Sequence, residues 1–427
     1  MAGWGFGTLK KTPAAPALLM GVMFFGACSS SSPATNGLPT TSVAGTIEAR
    51  TQPPGGPAGE AALSSLRWVQ VVPTASDTFG GPGSQFVEVV AGWGDGFVGV
   101  GHQYDGTGYE SLTWASPDGV RWDRTSTSSV TFADSAMARL AESDGALVAA
   151  GEAGGLGQGH GIVALVSSDG RTWTRTDVGT GAERAVLRDL AAGPGGFLLL
   201  GLSIDTREPL LWRSTDGTTW QEAAIDFLGP DERLAGIDGW PGGFVALGDS
   251  GPPPEIGGPG SQGVAWWSAN GVGWHPASVE RPPTERPDCF GIGGLIAGAD
   301  GLLSFARFPC SGAIVISPPY ESRDAKAWRW SARSGPPFDR FAEFASDGRR
   351  MVALSRDQEG AVEAWSSLDG LTWRTVALAG DEPLWPDDGW YRFGFGAAGI
   401  VLTGWAGRGD GAPGDDAGVW VLLDEGR

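Results

Sequence analysis

Acids and arginines recur in short clusters through the chain, and each cluster stands just ahead of an apolar run: Glu183-Arg184 with Arg188-Asp189, Asp231-Glu232-Arg233, Asp288, Asp339-Arg340 with Glu343, and Asp387-Asp388 with Tyr391-Arg392. Side by side, guanidinium forks and carboxylates do one of two things. They neutralise each other as ion pairs, or they grip a charged or polar ligand. Both readings stay open for Arg184, Arg188, Asp231, Arg233, Asp288, Asp339, Arg340, Glu343, Asp388, Tyr391 and Arg392. Other chemistries lack their parts. His102, His160 and His275 are far apart, and no His-rich or Cys-rich spacing suits a metal. Glycine strings such as Gly154-Gly155-Leu156-Gly157 follow apolar runs with no helix behind them, so they make no phosphate loop, and no Gly-x-Ser-x-Gly elbow with partners is present. The sequence calls for no metal and no cofactor.

The elements that must position these clusters are set by a repeat, Ser-x-Asp-Gly-x-x-Trp. Copies run from Ser116 to Trp122, Ser167 to Trp173, Ser214 to Trp220, Ser268 to Trp274 and Ser367 to Trp373, with Asp118, Asp169, Asp216, Asn270 and Asp369 at the third position. Each copy follows a short apolar strand such as Leu210-Leu211-Trp212 and precedes a polar one, which makes it the turn of a β-hairpin. Ser and Asp side chains accept backbone N–H bonds there, Gly takes a positive φ, and Trp covers the hairpin end.

The repeat resembles the Asp-box of sialidase-like β-propellers. That resemblance implies an all-β propeller of four-stranded antiparallel blades, with the box between the third and fourth strands on the face opposite the ligand site. The box therefore reports architecture and leaves function open.

The third-position residues are separated by 51, 47, 54 and 99 residues, and the last gap is about twice the others. One box is expected to have decayed near Ser331 to Gly335, with Trp328-Arg329-Trp330 as the strand before it. A glycine followed by an apolar strand repeats with the same period, at Gly96, Gly145, Gly196, Gly243, Gly301, Gly348 and Gly399. Seven units result. Leu66 to Val72 resembles the strand after a box yet has none ahead of it, and Gly418 to Leu423 resembles the strand before a box with nothing after it. The N-terminal strand is thus expected to complete the last blade and close a seven-bladed ring, leaving only short edges and a monomer.

Residues 1–27 read as a lipoprotein signal peptide: Lys10 and Lys11, an apolar segment from Ala14 to Phe25, then Gly26-Ala27 ahead of Cys28. The placement of Cys28 resembles a bacterial lipobox, with Phe25 where leucine is usual, and implies an acylated cysteine anchoring the chain to the cell membrane. Residues 28–62 are rich in Ser, Thr, Pro, Gly and Ala and read as a flexible tether, with a coil dimension of roughly 30 Å. Residues 63–427 form the propeller. A net charge of −20 disfavours nucleic acid and anionic lipid faces as partners. Cys289 and Cys310 flank the inner strands of the fifth unit and are expected to pair as a disulfide in an oxidising compartment.

The segments of unusual length are Asp249 to Gln262, Ser278 to Asp288 and Arg307 to Lys326, all in the fourth and fifth units. Long loops on a rigid scaffold place the recognition face there. The resemblance also implies a set of catalytic parts: three arginines on a carboxylate, a tyrosine made nucleophilic by a glutamate, an aspartate acid–base, and a Phe/Tyr-Arg-Ile-Pro segment before the first box. That segment is missing, since Arg67 in Leu66-Arg67-Trp68 is the one arginine between Ser64 and Ser116. Tyr391 with Glu343 is the best remaining nucleophile. Two functions follow: a binding or assembly module for a cell-envelope protein or glycan, or, in its place, a glycoside hydrolase of the sialidase type. Arginines converging near Tyr391 would favour the hydrolase, and alternating acid–base pairs the module.

Overall fold

The computed structural model describes residues 66–71, 78–80, 83–126, 129–157, 160–251, 262–281, 291–298, 301–308, 315–331, 341–346, 351–356, 362–368, 372–379, 391–396, 399–406 and 416–424. They form seven antiparallel blades in a ring, each here given strands a to d from the axis outward. Blade one is Ser84–Trp93, Gly96–Tyr104, Tyr109–Ser116 and Asp123–Arg124, and blade two is Ser135–Ser143, Ala146–Ala153, Ile162–Ser167 and Thr174–Thr176. Blade three is Ala185–Gly193, Gly196–Ser203, Pro209–Ser214 and Gln221–Ala223, and blade four is Glu232–Trp240, Gly243–Ser250, Gln262–Ser268 and His275–Pro276. Blade five is Gly291–Gly298, Gly301–Phe308, Val315–Ser322 and Ala327–Trp330. Blade six is Phe341–Ser346, Met351–Arg356, Val362–Ser367 and Arg374–Ala379. Blade seven takes strands a to c from Tyr391–Gly396, Gly399–Ala406 and Asp416–Asp424, and its strand d from the other end of the chain, Leu66–Gln70.

That last strand closes the ring as the sequence leads one to expect. Leu66 to Gln70 pair antiparallel with Asp424 to Trp420, and Val71 donates to the Val419 carbonyl at 2.8 Å. The same strand also runs parallel to the outer strand of blade six, with Arg67 to Val69 opposite Ala377 to Ala379. Trp68 is buried against Phe393, with ring centroids 5.8 Å apart.

Stacked blades cover both faces of every b strand, so these strands read as continuous apolar runs such as GFLLLGLS at Gly196–Ser203. The buried clusters lie between neighbours. Val89, Ala91 and Val98 of blade one meet Met137, Leu140 and Leu147 of blade two. Phe97, Leu112 and Trp114 of blade one meet Val401, Val419 and Val421 of blade seven, which joins the first blade to the last.

The boxes act at these interfaces. Ser116 Oγ accepts the Gly119 N–H at 2.8 Å in the box of blade one, and Ser167 Oγ accepts the Gly170 N–H at 2.9 Å in that of blade two. Asp169 Oδ1 accepts from Arg171 and Thr172 at 2.8 and 2.6 Å, and Asp216 Oδ1 from Thr218 and Thr219 at 2.8 and 3.0 Å. These amides pull both carboxyls down to about 2. Gly217 has φ 78°, and a Cβ there would lie 2.4 Å from Val148 of blade two, so the residue is held both by conformation and by contact with the next blade.

The fifth blade keeps its box, which corrects the expectation of a decayed copy near Ser331 to Gly335. Its turn is Ser322-Arg323-Asp324-Ala325-Lys326-Ala327-Trp328, with Ala325 in place of glycine at φ 62°. Asp324 Oδ1 accepts the Lys326 N–H at 3.0 Å, and Trp328 donates to the Ala325 carbonyl at 3.1 Å, as Trp220 does to Gly217 at 3.0 Å. Restoring this box makes the third-position spacings 51, 47, 54, 54 and 45. Trp328-Arg329-Trp330 is accordingly the strand after the box, and most of the supposed long segment Arg307 to Lys326 is strand and turn. Asp369 lies outside the described residues. Ser278–Val279, within the second long segment, runs parallel to Ala327–Trp328 as a fifth strand on blade five.

Trp68→Ala is expected to lower the unfolding free energy by about 3–5 kcal/mol in denaturant melts, since it empties a core site at the joint that closes the ring. Among the described residues Asn270 Oδ1 accepts one bond, from Val272 at 3.1 Å. Asn270→Asp is expected to raise the melting temperature slightly by supplying a charged acceptor to both turn amides, and Asp216→Ala to lower it by the equivalent of about 1 kcal/mol.

Candidate functional site around the axis

An innermost strand pairs on one side only, because strand a ends every blade's ladder. Its other edge presents unpaired N–H and C=O groups to the axis, and these need partners. Six innermost strands add a bulge part-way along, at Glu88, Ala138, Arg188, Ala235, Gly294 and Ala342 in blades one to six. Bulges re-aim side chains and free further backbone groups. Blade seven runs in register from Tyr391–Gly404 to Gly396–Gly399.

Charged side chains beside the bulges satisfy these groups, often across blades. Arg139 of blade two donates to the Ala138 carbonyl at 3.0 Å and to the Arg188 carbonyl of blade three at 3.1 Å. Asp189 of blade three accepts from its neighbour Leu190 at 3.0 Å and from Ile237 of blade four at 3.2 Å. Arg139 and Asp189 form an ion pair at 3.7 Å with Asp189 almost fully buried. Glu152, also buried, accepts from Gly157 at 2.8 Å and from Leu187 of blade three at 3.0 Å. Blades two, three and four are thus stapled near the axis by Arg139, Glu152 and Asp189.

Burial pushes the Asp189 carboxyl up to about 6, against the pull of Arg139, the Ile237 and Leu190 amides, and Arg392 of blade seven. Asp238 of blade four is raised well above its ordinary value by burial and by Asp189. In blade one, burial holds the His102 imidazole below its usual range, while Glu88, with Oε1 3.7 Å from His102 Nδ1, pulls the other way. His102 stacks on Phe86 at 4.8 Å and belongs to the wall of the blade.

The clusters read from the sequence are dispersed. Arg184 reaches Asp205 of its own blade at 2.6 Å, both exposed. Arg233 makes a cross-strand charge contact with Asp249 at 2.5 Å and donates to the Gly251 carbonyl at 2.7 Å. Arg188 sits at the bulge and Arg392 on the innermost strand of blade seven, close enough to act on Asp189. Asp231 lines an open recess of about 450 Å³ with Gly229, Glu232, Ser250 and Gln262, on the face opposite the boxes. Glu343 and Tyr391 lie on the innermost strands of blades six and seven, with their side chains outside the described residues, and Asp288, Asp339, Arg340 and Asp388 lie wholly outside them, as do Cys28, Cys289 and Cys310. The partners Arg139, Asp205, Asp238 and Asp249 do not stand out in sequence, because bulge position and cross-strand register leave no local signature. Among the described residues no three His, Cys, Asp or Glu side chains converge as metal ligands.

No protein-family model matches the chain, and no curated protein does. Among solved structures, "YCF48 bound to D1 peptide" is 14% identical with TM-score 0.47, covering 84% of this chain and 96% of that one. A Hadza microbial sialidase is 13% identical with TM-score 0.43, covering 74% of this chain and 73% of that one. A mutant Trypanosoma rangeli sialidase displaying trans-sialidase activity is 15% identical with TM-score 0.42, covering 66% of this chain and 53% of that one. These likenesses concern fold alone. The blade count rests on the strand pairing.

Asp189→Ala is expected to cost about 3–5 kcal/mol in chemical denaturation, since it leaves a half-buried guanidinium and two amides short of an acceptor. Combining it with Arg139→Met is expected to cost less than the sum of the two changes, which a double-mutant cycle measures.

Proposed function

We propose that the chain is a lipid-anchored, extracytoplasmic recognition scaffold that binds or assembles a cell-envelope protein or glycan. The observation that carries this reading is the disposition of the arginines. Arg139, Arg184 and Arg233 each hold a carboxylate, and Arg139 and Arg233 also hold backbone carbonyls, so the arginines of blades two to four stand in acid–base pairs. Convergence on one point, which would suit hydrolysis of the sialidase type, is not the pattern of these three. A rigid disc whose described arginines are held internally presents its loops, and the recess beside Asp231 and Gln262 supports placing the recognition face on the side of blades four and five. Acylation of Cys28 and a tether over residues 28–62 would hold a monomeric disc near the cell membrane, and a disulfide between Cys289 and Cys310 would fasten the fifth blade. The two cysteines lie two and three residues beyond the outermost described ladder pair joining Gly291 to Arg307.

Three experiments test the reading. Cys28→Ser is expected to move the protein from the membrane to the soluble fraction, and a protein that stays with the membrane would overturn the anchor. A photo-crosslinker at Gln262 of the full chain is expected to give discrete envelope adducts while one at Arg121, on the box face, gives none; the reverse would move the recognition face. Turnover of a fluorogenic sialoside by the purified full chain would replace the scaffold with the hydrolase.

A further inference from the structure

The chain holds two asparagines, Asn36 and Asn270, and each is followed by glycine. Such a pair has a chemistry of its own. Glycine carries no Cβ to keep its backbone nitrogen from the asparagine side chain, so that nitrogen can close a five-membered imide with release of ammonia. Asn36 lies outside the described residues, whereas Asn270 stands exposed in the turn of the fourth box, where Asp118, Asp169, Asp216 and Asp324 stand in the other described boxes. Gly271 has φ 76°, and a Cβ there would lie 2.9 Å from Leu198 of blade three, so glycine is required after the asparagine. Its N–H donates to the buried Ser268 Oγ at 2.9 Å, and Asn270 Oδ1 accepts from Val272 at 3.1 Å. One further contact sets this turn apart. Arg213, on strand c of blade three, donates from Nε to the Asn270 carbonyl at 3.1 Å and from a second nitrogen to the Gly195 carbonyl at 3.0 Å. Ahead of the other described boxes the place of Arg213 is taken by Ala115, Val166, Trp267 and Glu321, and none of these is a cation.

We propose that Asn270 is a site of spontaneous covalent modification, a deamidation through an imide that needs only solvent base and water, and that Arg213 activates it. Gly271 N gives its proton to a solvent base and bonds to Asn270 Cγ, and the charge that builds on Oδ1 meets the Val272 N–H. The Cγ–Nδ2 bond then breaks, and the amide nitrogen takes a proton and leaves as ammonia. Water opens the imide in one of two ways. Addition at Cγ breaks its bond to Gly271 N and leaves aspartate. Addition at the former peptide carbonyl breaks that carbon's bond to Gly271 N and leaves isoaspartate, with the main chain running through Cβ and Cγ. Solvent reaches the turn, since Val272 is 63% exposed. Twice along this path negative charge falls on the Asn270 carbonyl oxygen: when the Gly271 nitrogen loses its proton, and when water adds at that carbonyl. The Arg213 guanidinium already donates to that oxygen, so it stabilises both developing charges. It therefore speeds ring closure and steers ring opening toward isoaspartate.

The two products act in opposite directions on the joint between blades three and four. Aspartate gives the fourth box the charged acceptor that the other described boxes have. Isoaspartate adds a methylene to the main chain of a turn in which even a Cβ on Gly271 would meet Leu198, and so loosens it. Asn270 is thus an ageing mark on the box face, opposite the recess beside Asp231, and the inference is independent of what that recess binds.

The test ages the full chain in mildly alkaline buffer, native and in urea, and follows the peptides holding Asn36 and Asn270 by mass spectrometry with isoaspartate resolved from aspartate. Products are expected at Asn270 in the native wild type, and Arg213→Met is expected to slow them by a factor of about five while the Asn36 rate stays as it was. In urea both chains are expected to react alike at Asn270. Should Arg213→Met fail to fold, the wild type alone serves: isoaspartate is expected to be a larger share of the Asn270 product in the native state than in urea. An Asn270 that stays intact in the native chain, a native Arg213→Met rate equal to or above that of wild type, a difference between the chains that persists in urea, or an isoaspartate share unchanged by urea would each overturn the proposal.

Discussion

The ring depends on one long-range pairing, that of Leu66–Gln70 with Asp416–Asp424. Every blade buries its faces against two neighbours, so an open ring would leave the outer faces of blades one and seven wet. The cluster of Phe97, Leu112 and Trp114 with Val401, Val419 and Val421 exists only when the two ends of the chain meet. Because the closing strand also lies along Arg374–Ala379, it fastens blade six to blade seven and protects an edge that would otherwise accept a foreign strand.

Closure creates the second constraint. Drawing seven strands around an axis leaves seven unpaired edges facing it, and bulges in six of them free still more backbone groups. Arg139, Glu152 and Asp189 answer that demand by bonding amides and carbonyls of neighbouring blades. These three charges are therefore first of all structural.

Architecture was legible because it repeats. Ser, Asp, Gly and Trp at fixed spacing mark the hairpins, glycine before each b strand marks the period, and a box-less strand at either end announces the shared blade. The fifth box escaped notice because Ala325 takes the left-handed conformation that glycine holds elsewhere; its Ser, Asp and Trp were in place to be found. That one misplacement also turned the strand Val315–Ser322 into an apparent loop. The site was legible only in its residue types. Arg184 and Arg233 were singled out, yet their partners come from the turn after one b strand, Asp205, and from the far end of another, Asp249, and nothing in the local sequence announces such pairing.

The most direct measurement is an experimental structure of the full chain with sialic acid and its transition-state analogue. The account predicts an empty axis, with Arg139 on Asp189 and Arg233 on Asp249 as they stand without ligand. Density for either sugar at the axis, gripped by arginines from several innermost strands next to Tyr391, would contradict it and make the propeller a carbohydrate-active protein.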